Sequence, residues 1–188
     1  DNGTLTINKK DISIVVDSKT KTFGDPDPVF TATPNGWVGT SDEWLATLAD
    51  SEIATFSRTA GEDANANGYT INLEFVHPNY NVISITPSKL IINPKALTIT
   101  INDASKTYGE SDPTFTASAT GWVYDDSNTL LVGTLSRQDS SNDVKDGGYE
   151  ITTSYTNPNY AITYDNGTFT INPKALTITI NDASKTYG

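Results

Sequence analysis

Eighteen residues, INPKALTITINDASKTYG, occupy positions 92–109 and recur letter for letter at 171–188. A period of 79 residues is far too long for one turn of a solenoid and long enough for a small independent domain, so the sequence has to be read as an array. Sliding the pattern along the chain exposes an earlier, diverged copy. Lys21-Thr22-Phe23-Gly24 matches Lys106-Thr107-Tyr108-Gly109, Asp27-Pro28 matches Asp112-Pro113, and Gly36-Trp37-Val38 matches Gly121-Trp122-Val123. Further on, Ser57-Arg58 matches Ser136-Arg137, Gly68-Tyr69 matches Gly148-Tyr149, and Pro78-Asn79-Tyr80 matches Pro158-Asn159-Tyr160. The expected frame is two complete units, 9–94 and 95–173. They are flanked by residues 1–8 as the closing strand of a preceding repeat and residues 174–188 as the opening segment of a following one.

Within a unit the local signals are those of β-structure. Leu97-Thr98-Ile99-Thr100-Ile101 alternates strictly, as does Ile12-Ser13-Ile14 running into Val15-Val16, the period of a strand with one apolar face. Short strands are predicted at Val29–Thr33 and Thr114–Ser118. Others are expected at Ile53–Arg58, Tyr69–Val76 and Tyr80–Ile85, with counterparts at Leu131–Arg137, Tyr149–Tyr155 and Tyr160–Tyr164. Asp165-Asn166-Gly167 predicts a tight hairpin joining the last two strands, because Asn-Gly supplies positive φ. One segment reads as helix: Thr40-Ser41-Asp42-Glu43 resembles a capping box, with Trp44, Leu45 and Leu48 following at helical spacing. Its counterpart from Tyr124 to Leu130 is short enough to keep no more than a turn.

A formal charge of −11 and the scarcity of clustered Lys and Arg argue against a nucleic-acid partner. No apolar run is long enough to cross a bilayer, so no membrane insertion is expected. Cysteine is absent, which excludes disulfides and thiolate metal sites as the source of stability. His77 is the sole histidine and its counterpart is Asn157, so no catalytic triad can be assembled, and the chain is expected not to be an enzyme and to use no cofactor. Asp25 and Asp27, in a D-P-D-P run, are candidate Ca²⁺ ligands, although Asp-Pro is equally a turn former. Asp125, Asp126, Asp139 and Asp143 form a second acidic group of the same kind. Trp37 and Trp122 repeat and read as packing residues. Trp44 occurs once, either as the anchor of its helix or as an exposed platform for a glycan.

Together, LTITI, K-T-Y-G, D-P-x-F, G-W-V, G-Y-x-I, N-Y and G-T-x-T-I resemble the MBG and YDG repeats of large bacterial surface adhesins and mucus-binding proteins. The resemblance implies a mainly-β tandem of small domains at the bacterial cell surface, extracellular and attached to the cell wall through a part of the protein outside these residues. It implies a β-grasp-like mixed sheet with one short helix per unit, arranged end to end as a rod. An immunoglobulin-like β-sandwich is the alternative, because Asn67-Gly68-Tyr69 and Gly147-Gly148-Tyr149 sit where a tyrosine corner can lie. The implied role is a non-catalytic stalk that spaces a binding tip from the cell, the alternative being a repeat that itself binds host mucin or glycans. Neighbouring repeats are the expected partners. Head-to-tail strand pairing between copies, through residues 1–8 and 176–180, is a further one.

Overall fold

A computed structural model describes residues 2–188; Asp1, the first residue of the expected closing strand, lies outside them. The chain divides into two compact units, one made chiefly of residues up to 96 and the other chiefly of residues from 97 onward. Strand accounts for 43 % of the chain and helix for 6 %, so the mainly-β expectation holds.

In the first unit β1 (Lys10–Val16), β2 (Lys19–Thr22), β3 (Ala32–Asn35), helix α1 (Ser41–Ala49), β4 (Ala54–Arg58), β5 (Asn65–Phe75), β6 (Tyr80–Thr86) and β7 (Ser88–Asn93) follow in order. They form two mixed sheets, β3-β1-β6 and β2-β7-β5-β4. Strand β1 pairs antiparallel with β3 and parallel with β6, from Lys10 opposite Tyr80 to Val15 opposite Thr86. Strand β2 pairs parallel with β7, from Lys19 opposite Leu90 to Thr22 opposite Asn93. The alternation of β1 has its predicted consequence: Ile12, Ile14 and Val16 are buried. Each such side chain contributes about 1.5–3 kcal/mol relative to exposure.

The second unit repeats the plan with β8 (Lys95–Ile101), β9 (Ala104–Thr107), β10 (Ala117–Thr120), a 3₁₀ turn (Asn128–Leu130), β11 (Leu135–Arg137), β12 (Tyr149–Thr153), β13 (Tyr160–Asp165) and β14 (Gly167–Asn172). Its sheets are β10-β8-β13 and β11-β12-β14-β9, with β9 and β14 parallel. The helix of the first unit is thus reduced to one turn in the second. Where it exists, it starts as its sequence demands. Thr40 accepts from the Glu43 amide at 3.2 Å, and the Glu43 carboxylate accepts from the Thr40 amide at 2.7 Å. This reciprocal cap satisfies two otherwise orphaned donors.

Three expectations need correction. The last two strands of a unit are not a hairpin: β13 and β14 lie in different sheets, as do β6 and β7, which are separated only by Pro87. The chain crosses from one sheet to the other at this point. Gly167 serves close approach there instead of a positive φ, since a Cβ would sit 2.7 Å from the Asn102 carbonyl oxygen and 2.8 Å from that of Ile101. Second, the short strands after the D-P turns begin three residues later than predicted, at Ala32 and Ala117. Third, residues 2–8 and 174–188 form no strand. Leu97 is 1 % exposed between β10 and β13, whereas its twin Leu176, with no such flanking strands, is 84 % exposed.

Candidate functional site

The feature common to both units lies over the four-stranded sheet. In unit one that sheet has β2 at one edge and β4 at the other, and each edge sends a cation inward. Lys21 from β2 donates to Asp27 Oδ1 at 2.7 Å, and Arg58 from β4 donates through Nε to Asp27 Oδ2 at 2.5 Å. Glu62 accepts from Lys21 Nζ at 2.5 Å and also from Arg58. Unit two reproduces the arrangement. Lys106 from edge strand β9 lies 2.7 Å from Asp112 Oδ1, and Arg137 Nε from edge strand β11 lies 2.8 Å from Asp112 Oδ2. In place of Glu62 stands Asn142, whose Oδ1 accepts from Lys106 Nζ at 2.6 Å and from Arg137 at 3.2 Å. One carboxylate from the D-P loop therefore joins the two outer strands of a sheet.

Local sequence explains the placement. Gly24 and Gly109 adopt φ of +87° and +89°, which turns the chain directly after β2 and β9 and brings the Asp-Pro loop back over the strand it has just left. Aromatic rings wall the charges. Arg58 lies 5.6 Å over the Tyr69 ring, and Arg137 lies 5.7 Å from the Tyr149 centroid and 5.3 Å from that of Phe169. These are cation–π distances. The two tyrosines are fixed in turn: Tyr69 donates to the Asp63 carbonyl at 3.0 Å and Tyr149 to that of Asp143 at 2.8 Å.

The electrostatics follow the geometry. Burial works to raise Asp27, but the hydrogen bonds from Arg58 and Lys21 outweigh it and hold the carboxyl below its usual range. Asp112 is held down chiefly by the Lys106 hydrogen bond, against burial and with help from the Arg137 charge. Glu62 is lowered first by its bond from Lys21. Lys21 is raised, because its two carboxylate partners overcome the penalty of burying an ammonium. All of these groups are ionised at neutral pH. The arrangement is saturated by its own charges, so it offers neither a general base nor a free nucleophile.

The calcium candidates fare accordingly. Asp25 is exposed in the turn, and a cation at Asp27 would have to displace Lys21 and Arg58. Among the described residues no three His, Cys, Asp or Glu side chains are grouped to hold a metal. Asp139 and Asp143 bond to Ser141 in a local turn. Trp44 is 4 % exposed, donates its indole N–H to the Ala32 carbonyl at 2.7 Å, and packs against Trp37 and Phe75. It anchors α1, and a ring so covered presents no face on which a sugar can stack. Trp37 stacks on Tyr80 with centroids 5.0 Å apart, and Tyr80 Oη accepts from the Val38 amide at 2.8 Å. Tyr160 accepts from Val123 in the same way at 3.2 Å. Beside Trp37 opens a shallow hollow of about 550 Å³, bordered by Asp17, Thr31, Asn35 and Ser41.

Comparison with known proteins finds a repeated family match: the MBG domain (YGX type) matches residues 12–90 and again 97–170. The chain belongs to this family. No curated protein and no solved structure matches it. Both copies of the MBG domain contain the Lys–Asp–Arg bridge, and the YG step of Tyr108-Gly109, Phe23-Gly24 in the first copy, is the turn that creates it. In the internal repeat Lys21 aligns with Lys106, Asp27 with Asp112 and Arg58 with Arg137, each within a segment that reads as a turn or strand signal. Recurrence of two basic residues and one acid at fixed places in an otherwise acidic chain was the available sign that the three meet.

Proposed function

We propose that these MBG domains form part of the stalk of a bacterial surface adhesin, non-catalytic and extracellular, holding a binding tip away from the cell wall to which another part of the protein is attached. The observation that carries the reading is the joint. Strand β7 of the first unit ends at Asn93 and β8 of the second begins at Lys95, so Pro94 alone separates two copies of one frame. Proline fixes φ and removes a donor, and a one-residue connection leaves little chain for hinging. Membership of a family of surface-protein repeats supports the same conclusion. Small-angle scattering of the purified chain tests it. An elongated particle whose dimensions are insensitive to salt is expected, and a flexibly jointed pair of globules would refute it.

A second reading, in which the first unit binds host mucin or another glycan, draws support from the hollow beside Trp37, bordered in part by α1, a helix that the second unit lacks. Titration with mucin oligosaccharides, read by tryptophan fluorescence, separates the two. Saturable quenching abolished by Trp37→Ala supports binding, and a flat response supports the spacer.

A further inference from the structure

We infer that each MBG unit is a shear lock, built so that tension drawn along the chain is resisted by its opening and closing strands acting together. That tension runs along the chain rests on the stalk reading above; the lock itself rests on strand direction. In unit one the opening stretch, β1 then β2, runs beside the closing stretch, β6 then β7, in the same direction and through both sheets. The pairing is bounded by the Lys10 amide on the Asn79 carbonyl at 3.0 Å and by the Phe23 amide on the Asn93 carbonyl at 2.8 Å. Both stretches change sheets at the same level. There, Ser18 Oγ meets Ser88 Oγ at 2.7 Å and bridges the break.

Unit two is built alike. The Lys95 amide donates to Asn159 at 2.9 Å, Thr98 meets Thr163 at 3.2 Å, Thr100 donates to Asp165 at 3.4 Å, and β9 continues parallel to β14 until the Tyr108 amide reaches Asn172 at 2.8 Å. Partner numbers rise together along the whole contact, so the strands share a direction.

Direction decides how such a contact fails. The chain comes into a unit at the start of the opening strand and leaves it at the end of the closing strand, which are opposite ends of one parallel pair. At about 3.3 Å per residue they are roughly 40 Å apart. Pulling these points apart slides the strands past each other, and every rung along the contact is strained at once. In a hairpin the two points lie at the same end, and the rungs open one after another. The parallel pairing thus converts many weak bonds into one cooperative barrier. Lys21 and Lys106 add a second restraint, because each ties its opening strand to the far edge of the sheet through Asp27 or Asp112.

Single-molecule force spectroscopy on the full chain tests the inference. The chain contains no cysteine, so paired cysteine handles define the pulling direction. Lys9→Cys with Pro94→Cys loads unit one in shear, and Asp25→Cys with Pro94→Cys loads the same rungs by peeling. Pro94→Cys with Pro173→Cys, and Ser111→Cys with Pro173→Cys, make the same comparison in unit two. All these positions are exposed. The expected result is a rupture force several-fold higher in shear than in peeling, in both units. Equal forces in the two directions, in either unit, overturn the inference. They would leave the stalk reading standing, whereas saturable glycan binding or a flexibly jointed scattering particle would retire the stalk and leave the force ratio unchanged.

Discussion

Replacing Asp112 with Asn should destabilise the second unit more than Asp27→Asn destabilises the first, although the two aspartates occupy equivalent places. Among the described residues, Asp112 is the one carboxylate bridging Lys106 and Arg137; its neighbour Asn142 contributes a neutral oxygen. In the first unit Glu62 still faces both cations after Asp27 is neutralised. The side chain of Lys106 is 4 % exposed and that of Asp112 is 32 % exposed, so the pair is buried at its cationic end and wet at the other. Breaking a fully buried pair by removing one partner costs about 3–5 kcal/mol. Discounting for the solvated carboxylate leaves about 2–3 kcal/mol for Asp112→Asn, against about 1 kcal/mol for Asp27→Asn. For domains of this size the larger value lowers Tm by about 10 °C or more. Hydrogen exchange read by mass spectrometry on the intact chain assigns each loss to its own unit. Adding Lys106→Met to Asp112→Asn should recover part of the loss, since the stranded ammonium is then removed. Equal costs at the two aspartates, or a change below about 0.5 kcal/mol at Asp112, would refute the view that an uncompensated buried cation sets the magnitude.

The same bridge makes stability depend on acid. Asp27, Glu62 and Asp112 all have folded values below their ordinary ones, so their contribution is present above about pH 4 and is lost as pH falls through the lowered values; thermal melts from pH 7 to pH 2 should show Tm dropping below about pH 4, less steeply in Asp27→Asn. Thr40→Ala removes the cap of α1 and should cost about 1 kcal/mol in unit one with no effect in unit two, again read by hydrogen exchange. Gly167→Ala should destabilise unit two by about 1–3 kcal/mol, because the added carbon meets two backbone carbonyls that can move only with β8; an unchanged urea midpoint would show that the sheet crossing is looser than described.

The parts of the fold that the sequence made legible are those set by neighbours along the chain. Ile12, Ile14 and Val16, or Leu97, Ile99 and Ile101, alternate because one face is buried, and the Thr40–Glu43 cap is complete within four residues. Strands β2 and β9 escaped notice. Lys-Thr-Lys-Thr and Ala-Ser-Lys-Thr have no apolar alternation, and their inward residue is a lysine, made tolerable by an aspartate six positions later and an arginine much farther on. The sheet crossing was misread for a similar reason. Asn166-Gly167 carries the local mark of a hairpin, yet the demand on Gly167 comes from the carbonyls of Ile101 and Asn102, more than sixty residues earlier. The tryptophan hollow was half legible: recurrence identified Trp37 as a packing residue, but nothing local told whether Trp44 faces inward.

Unit one builds its opening strands from KDISIVVDSKTKTFG, which shares few letters with the KALTITINDASKTYG of unit two, and still obtains the same pairings, the same buried apolar face and the same cation bridge. The fold therefore does not require the letter-for-letter identity of 92–109 and 171–188. What the fold requires is narrower: alternation in the opening strand, a glycine at the turn, and a lysine, an aspartate and an arginine that meet over the sheet. Since each unit satisfies those requirements from its own residues, units can be added to an array without redesigning any of them. Array length is then the property free to change, and length is what a spacer supplies.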